Sequence, residues 1–420
     1  MGAVPLLAAC EPSGSNASAG WERAGDRDPG QGNHIPGPTV AVGAFWRPAP
    51  AVSGRVLAEA PPLPILRRVI DTPEALEAFL PVLRAAPWVA VDTEADSLHA
   101  YPEKLCLLQI STPSGDRLVD PLAGLDLRPL LNVLADHDLI LHGADYDLRL
   151  LWRHSRFVPR CIFDTMLAAR LLGERNFSLG ALLEKFLGVR LDKAMQKADW
   201  ARRPLTPRME AYARNDTRFL KPLADRLRAE LIRRGRLSWH EEFCQRLITE
   251  CACDTAPDPD QVWRVKGSHR LGRRGLAVLR ELWHWREAEA REANRPPFFI
   301  LPHETLSQIA AAAVDSQPVD PLLPPRLSPR RRASLQQAIA RGLALPPDQW
   351  PELRRGTGRR LTEAELQRFE ALEARRNARA QELGLEPSLI APRSVLLDLA
   401  RDWETHAPRL MRWQRELLEP

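Results

Sequence analysis

The sequence predicts a mixed-sheet α/β domain followed by an all-α region, and three observations carry that expectation. Short apolar strands alternate with amphipathic helical stretches between about residues 64 and 235, as in a layered α/β fold. Beyond about residue 255 the strand pattern stops, and amphipathic helices separated by Pro-containing loops take over. Within those helices a segment repeats after 90 residues: Arg286, Ala290, Glu292, Pro297, Ile300, Pro302, Leu306 and Ala310 return as Arg376, Ala380, Glu382, Pro387, Ile390, Pro392, Leu396 and Ala400. The match spans a helix, a Pro-marked loop and the next helix, which implies two copies of one helical module.

In chain order, residues 1–63 are rich in Gly, Pro, Ser and Ala without apolar periodicity. Such a segment cannot bury enough surface to offset its ordering entropy, so a disordered leader is expected. Its first ten residues, MGAVPLLAAC, superficially resemble a lipoprotein signal ending at Cys10 but lack the positively charged start of export signals. Strands are expected at 88–92, 105–111, 117–120 and 139–143. Short links between the first three predict hairpins, hence a mixed rather than an all-parallel sheet. Helices are expected at 129–136, 147–154, 164–172 and 179–187, with a long one over 207–234. The domains that follow are 64–240 for the α/β part, then 258–342 and 346–420 for the two helical modules.

Composition bounds the function. The 420 residues exceed what one core fills, so several domains are expected. No apolar run approaches the roughly 20 residues that cross a bilayer, so no membrane partner is expected. Six cysteines without paired spacing indicate a reducing compartment, here the cytoplasm. Cys251 and Cys253 lie two apart with no second pair, which makes a poor zinc site. The formal net charge is only +5, but the basic residues are mostly Arg, which binds phosphates in a bidentate manner. A GC-rich coding bias would give the same excess.

Three segments carry chemistry. Val89-Ala90-Val91-Asp92-Thr93-Glu94 is an apolar strand ending in two carboxylates that point to one face. Two such groups at the end of a buried strand are costly unless a cation neutralises them, and hard oxygen donors suit Mg or Mn. A second strand runs through Gly143-Ala144-Asp145-Tyr146 into a helix carrying Asp147. Asp145 fits a helix cap, leaving Asp147 for the sheet edge, although the two could exchange roles. In the long helix, Tyr212 and Asp216 are four apart and share a face. His142, on an apolar strand, is expected as a hydrogen-bonded core residue, and His99 as a surface loop residue.

In this order and setting, Asp92, Glu94, Asp147, Tyr212 and Asp216 resemble the DEDD exonuclease superfamily in its tyrosine-bearing branch. Further stretches resemble ribonuclease D: Lys104-Leu-Cys-Leu-Leu-Gln109-Ile-Ser-Thr, Phe163-Asp164-Thr165, Lys193 through Gln196, Asp199-Trp200 and Arg203-Pro204-Leu205. Arg264, the helix 279–285, Arg286, Pro297-Phe298-Phe299-Ile300 and Leu306 resemble an HRDC domain. The second copy lacks the Phe pair.

The resemblance implies a ribonuclease H-like exonuclease domain followed by HRDC-type helical domains. It also implies a 3'-5' exoribonuclease in which Asp92, Glu94, Asp147 and Asp216 hold two divalent ions, Mg or Mn, about 3.5–4 Å apart. Tyr212 would orient the attacking water, since a phenol with a pKa near 10 is a poor base at neutral pH. The product would be a nucleoside 5'-monophosphate, and the substrate the 3' end of RNA, such as a tRNA precursor. Lys193, Gln196, Arg202 and Arg203 are candidate backbone grips. Equally, Trp200 and the Arg-Pro-Leu that follows could simply pack a loop on the core. Arg330 to Arg332, Arg354, Arg355, Arg359 and Arg360 cluster at the join between modules, as phosphate contacts or as solvated helix ends. Two other readings stand beside this one: a DNA 3'-5' exonuclease, and a nucleic-acid-binding protein with an inactive nuclease fold. No protein partner is readable.

Overall fold

The structure, a computed structural model, describes residues 69–192, 195–253, 258–353 and 359–419. The expected leader, Lys193, Arg354 and Arg355 lie outside the described residues.

A six-stranded mixed sheet forms the centre of the first part, in the order β1-β4-β3-β2-β5-β6. Its strands are β1 (Val69–Ile70), β2 (Val89–Ala95), β3 (Leu105–Thr112), β4 (Gly115–Val119), β5 (Asp138–Leu141) and β6 (Cys161–Asp164). As the short links predicted, β2, β3 and β4 form an antiparallel meander. β5 and β6 extend the sheet in parallel beside β2, and β1 pairs in parallel with β4 at the other edge. β1 and β6 escaped the sequence reading: β1 has only two residues, and β6 runs directly into α4 at Thr165 with no turn residue to mark its end.

Nine helices matter for positioning. They are α1 (Pro73–Arg84), α2 (Arg128–Ala135), α3 (Asp145–Ser155), α4 (Thr165–Leu171), α5 (Leu179–Leu187), α6 (Pro207–Arg218), α7 (Leu220–Arg233), α8 (Leu237–Cys251) and α9 (Arg273–Glu292). The single helix expected over 207–234 is two, α6 and α7, broken at Phe219. Pro222 explains the break: it has no N–H for Arg218, and its ring clashes with that carbonyl in a continuous helix.

One sheet face packs Val89, Val91, Leu108 and Ile110 against α1, α2 and α3. The other face carries Leu107 and Leu118 against Met209 and Ala213 of α6 and against Trp200. The strand alternation therefore divides the domain into two apolar layers, with Asp92 and Glu94 on the α6 side.

The remaining helices form the repeat. α9 is followed by α10 (Pro297–Ile300), α11 (His303–Val314) and α12 (Pro329–Ala344). Ninety residues on come α13 (Glu363–Leu383), α14 (Pro387–Ile390) and α15 (Arg393–Arg401), then α16 (Trp403–His406) and α17 (Arg412–Leu418). Hydrogen bonds repeat in register. Arg286 donates to the Leu301 carbonyl at 3.4 Å, and Arg376 to that of Ala391 at 3.0 Å. Likewise the Arg295 amide caps Ala290 at 3.0 Å, and the Leu385 amide caps Ala380 at 2.8 Å. The segment carrying the second copy is built into the nuclease: Phe369, Leu389, Leu396 and Trp413 share one core cluster with Leu183, Leu220 and Leu227. Gly173 approaches Gly384 so closely that a Cβ there would lie 2.2 Å from the Gly384 carbonyl oxygen.

Candidate active site

β2 ends in the polar triplet Asp92-Thr93-Glu94, whose members alternate in direction. Asp92 and Glu94 face α6, where Asp216 sits one turn beyond Tyr212. Oxygen atoms of Asp92, Glu94 and Asp216 all lie within 4.8 Å of one another, the group that could hold a metal ion. Helix α6 is started by Thr206, whose side chain accepts from the Met209 amide, and by Pro207 at its first position. Three buried residues on successive turns, Met209, Ala213 and Thr217, seat it on the sheet. The same spacing turns Tyr212 and Asp216 to β2.

Asp147 arrives from the opposite side of the strand. It is buried in the first turn of α3 and accepts from both the Thr93 amide, at 3.1 Å, and the Thr93 hydroxyl. Asp145, the alternative at the sequence level, is exposed and ion-paired with Arg149 at 2.9 Å. It does not cap the helix: the α3 N-cap is Ala144, with no side-chain cap bond. That work falls to Asp164, which is buried and accepts from the Gly143 and Ala144 amides at 3.0 and 2.8 Å while capping α4. Thr93 and Asp164 were not singled out individually from the sequence. Thr93 lies within the Asp-x-Glu motif, and Asp164 within the Phe-Asp-Thr stretch.

The electrostatics favour a bound cation. Burial, together with the neighbouring carboxylates, pushes Glu94 up to about 10. Burial and the Asp216 charge push Asp92 up to about 8, and burial raises Asp216 to about 7. Asp147 is raised well above its ordinary value by burial and by Asp92. Divalent cations remove the repulsion, and an all-oxygen donor set of this kind fits hard ions. Tyr212 is hydrogen-bonded to Gln196, and burial together with the neighbouring carboxylates raises its phenol above the ordinary range. Trp200, fully buried, packs beside it with ring centres 6.0 Å apart.

Of the candidate grips, Gln196 and Arg202 are exposed. Arg203 requires a correction. Its five N–H groups are all used inside the protein, by both Asp120 oxygens at 2.5 and 2.6 Å and by the carbonyls of Trp200, Arg202 and Cys106. It clamps the 199–205 loop to β3 and β4 and has no donor left for a phosphate. Four described members of the Arg cluster between the modules make ion pairs, while Arg360 is exposed. Arg330 and Arg331 pair with Glu289 at 2.6 and 2.9 Å, Arg332 with Asp320, and Arg359 with Glu365. His142 is half-buried and hydrogen-bonded to Thr165 at 2.9 Å, and His99 is exposed, as expected.

Similarity to known proteins agrees with this geometry. A family model described as a 3'-5' exonuclease matches residues 67–232, and an HRDC domain model matches residues 275–317. Ribonuclease D of Gluconacetobacter diazotrophicus is 32% identical over 365 residues, covering 84% of this chain and 90% of the relative. The crystal structure of Escherichia coli RNase D, described as an exoribonuclease involved in structured RNA processing, superposes with a TM-score of 0.65 at 26% identity, over 83% of this chain and 96% of that one. The catalytic core of RRP6 from Trypanosoma brucei superposes with a TM-score of 0.55 at 29% identity, over 66% and 80%. The chain is a 3'-5' exoribonuclease with an acidic cluster suited to divalent metal, and it belongs to the ribonuclease D family.

Proposed function

We propose that this enzyme trims the 3' ends of structured RNA, tRNA precursors among them, in the cytoplasm, through a two-ion site built from Asp92, Glu94, Asp147 and Asp216. The observation that carries this reading is the convergence of Asp92, Glu94 and Asp216 within 4.8 Å at the end of β2, with Asp147 held beside them by Thr93. Two bound divalent ions, Mg or Mn, would activate the attacking water and stabilise the leaving 3' oxygen. Asp92 and Glu94 hold their shared face because β2 fixes both Cα positions. Asp147 commits one oxygen to Thr93 and keeps the other for the site. Tyr212, fixed by Gln196 and Trp200, orients the water for in-line attack. The new bond joins the water oxygen to the terminal phosphorus as the water gives up a proton to solvent, the bond to the 3' oxygen breaks and that oxygen takes up a proton, and a nucleoside 5'-monophosphate leaves.

Lys193, Gln196 and Arg202 grip the terminal nucleotides in this reading, while Arg203 only shapes their loop. The chain divides into the nuclease at 64–240 and helical modules at 258–342 and 346–420, of which the first extends the RNA grip. A DNA 3'-5' exonuclease is the alternative reading. Cleavage of 3'-labelled and 5'-labelled RNA and DNA, with and without EDTA, tests all of this together. Release of labelled mononucleotide from 3'-labelled RNA, lost in EDTA, is the expected result. Endonucleolytic fragments, or equal turnover in EDTA, would overturn it.

A further inference from the structure

β3 reads Leu-Cys-Leu-Leu-Gln-Ile-Ser-Thr and is buried along its whole length. Its hydroxyl side chains are paired: Ser111 bonds Asp116 at 2.8 Å and Thr217 at 2.7 Å, and Thr112 serves the Ser114 amide at 3.2 Å. Gln109 differs. It is 0% exposed, and among the described residues neither its amide nitrogen nor its amide oxygen has a hydrogen-bond partner. A buried primary amide with both ends unsatisfied is costly, and a leucine or methionine would fill the space without that cost.

Its place in the sheet identifies what the amide faces. The antiparallel register sets Gln109 directly opposite Asp92, and Leu107 opposite Glu94. Directly opposed residues share a sheet face, with Cβ atoms about 4.5–5.5 Å apart. On that face Leu107 packs with Ala213 of α6, and Ser111 bonds Thr217. Gln109, midway between them on the strand, therefore lies beneath the turn of α6 that carries Asp216. The polar groups its register and this helix bring to it are the carboxylates of the candidate active site.

We propose that Gln109 is a positioning residue for Asp92 in the cation-loaded site. Its NH2 group donates to the carboxylate oxygen that Asp92 turns away from the ion, locking the rotamer that presents the other oxygen. This rests on the assignment of Asp92 as a metal ligand. Outer partners of metal ligands of this kind typically change metal affinity by about 10–100-fold.

The test is Mn(II) binding by calorimetry on the full chain without RNA, together with thermal unfolding in EDTA. Gln109→Met should weaken Mn(II) binding about 10-fold or more. Its melting temperature in EDTA should stay level or rise, because an unsatisfied amide has been removed. Gln109→Asn keeps the amide but withdraws it by one methylene, and should also weaken binding. It decides the matter if the Met variant does not fold. A residue that merely packs predicts the reverse, a lower melting temperature with unchanged affinity, and unchanged affinity in a folded variant overturns the proposal. Asp92→Asn separates the two ideas. If it weakens Mn(II) binding and the Gln109 variants do not, this inference alone fails; if Asp92→Asn binds as tightly as the parent chain, the assignment of Asp92 fails with it.

Discussion

The two copies of the helical repeat share one skeleton and present opposite surfaces. Both hold an Arg-to-carbonyl bond and a short Pro-started helix, at Pro297–Ile300 and Pro387–Ile390. In the first copy that helix leaves Phe298 and Phe299 44% and 63% exposed. In the second the corresponding residues are Ser388 and Leu389, and Leu389 is only 4% exposed. The second copy's segment is fused to the nuclease through the stacked pair Trp239 and Trp413, 4.9 Å apart, and through Arg236, which donates to the Leu383 carbonyl at 2.7 Å. The first touches the nuclease at Tyr101, whose hydroxyl bonds Glu287 and whose amide donates to Asn294 at 3.2 Å. One copy of the repeated segment is packed into the nuclease core, and the other keeps an exposed pair of aromatic rings.

The largest expected effect lies in the packed copy. Trp413→Ala removes a buried ring from the core that joins module to nuclease and should cost about 3–5 kcal/mol of stability, read by chemical denaturation. A cost below about 1 kcal/mol would show that the second copy is not part of the nuclease core. Next comes the free surface. Phe298→Ala with Phe299→Ala should leave stability within about 0.5 kcal/mol per substitution, because both side chains are exposed. If those rings stack on bases, the same variant should weaken RNA binding by about 1–3 kcal/mol per lost contact. Unchanged affinity would remove the functional half of the contrast between the copies.

A third effect separates both modules from the acidic site. Asp92, Glu94 and Asp216 hold folded pKa values of about 8, 10 and 7, above ordinary values of 3.8, 4.5 and 3.8. The folded, cation-free protein therefore binds protons that the unfolded chain has released. The contribution of these three groups to stability is fully present below about pH 4 and is lost progressively as pH rises from there through about 7 to 10. Thermal unfolding in EDTA should show this decline, Mg should flatten it, and the Phe298 and Phe299 variants should follow the same curve. Parallel curves with and without Mg would contradict the cation account.

Much of this was legible in the sequence because the signals were local. Short apolar runs bounded by turn residues located β2 to β5, the short links gave the antiparallel meander, and matches after 90 residues pointed to the repeat. What escaped depended on tertiary context. The amphipathic pattern continues through Phe219, so periodicity alone concealed the break that Pro222 imposes. Nothing in an Arg-Arg-Pro string tells that Arg203 meets Asp120, 83 positions earlier, while Arg202 faces solvent. Asp145 and Asp147 were separable only once Thr93 and Arg149 claimed one each. Gln109 was visible as a polar residue in an apolar strand, but its lack of a partner is a fact of the fold.

Asp147→Ala, compared with the parent chain for hydrolysis of 3'-labelled RNA in Mg and for RNA binding in EDTA, tests the central claim most directly. The prediction is a loss of about 10²–10³-fold or more in cleavage rate, in line with removal of a group that stabilises transition-state charge, with RNA affinity retained. An unchanged cleavage rate in Mg would contradict the assignment of this carboxylate cluster as the active site.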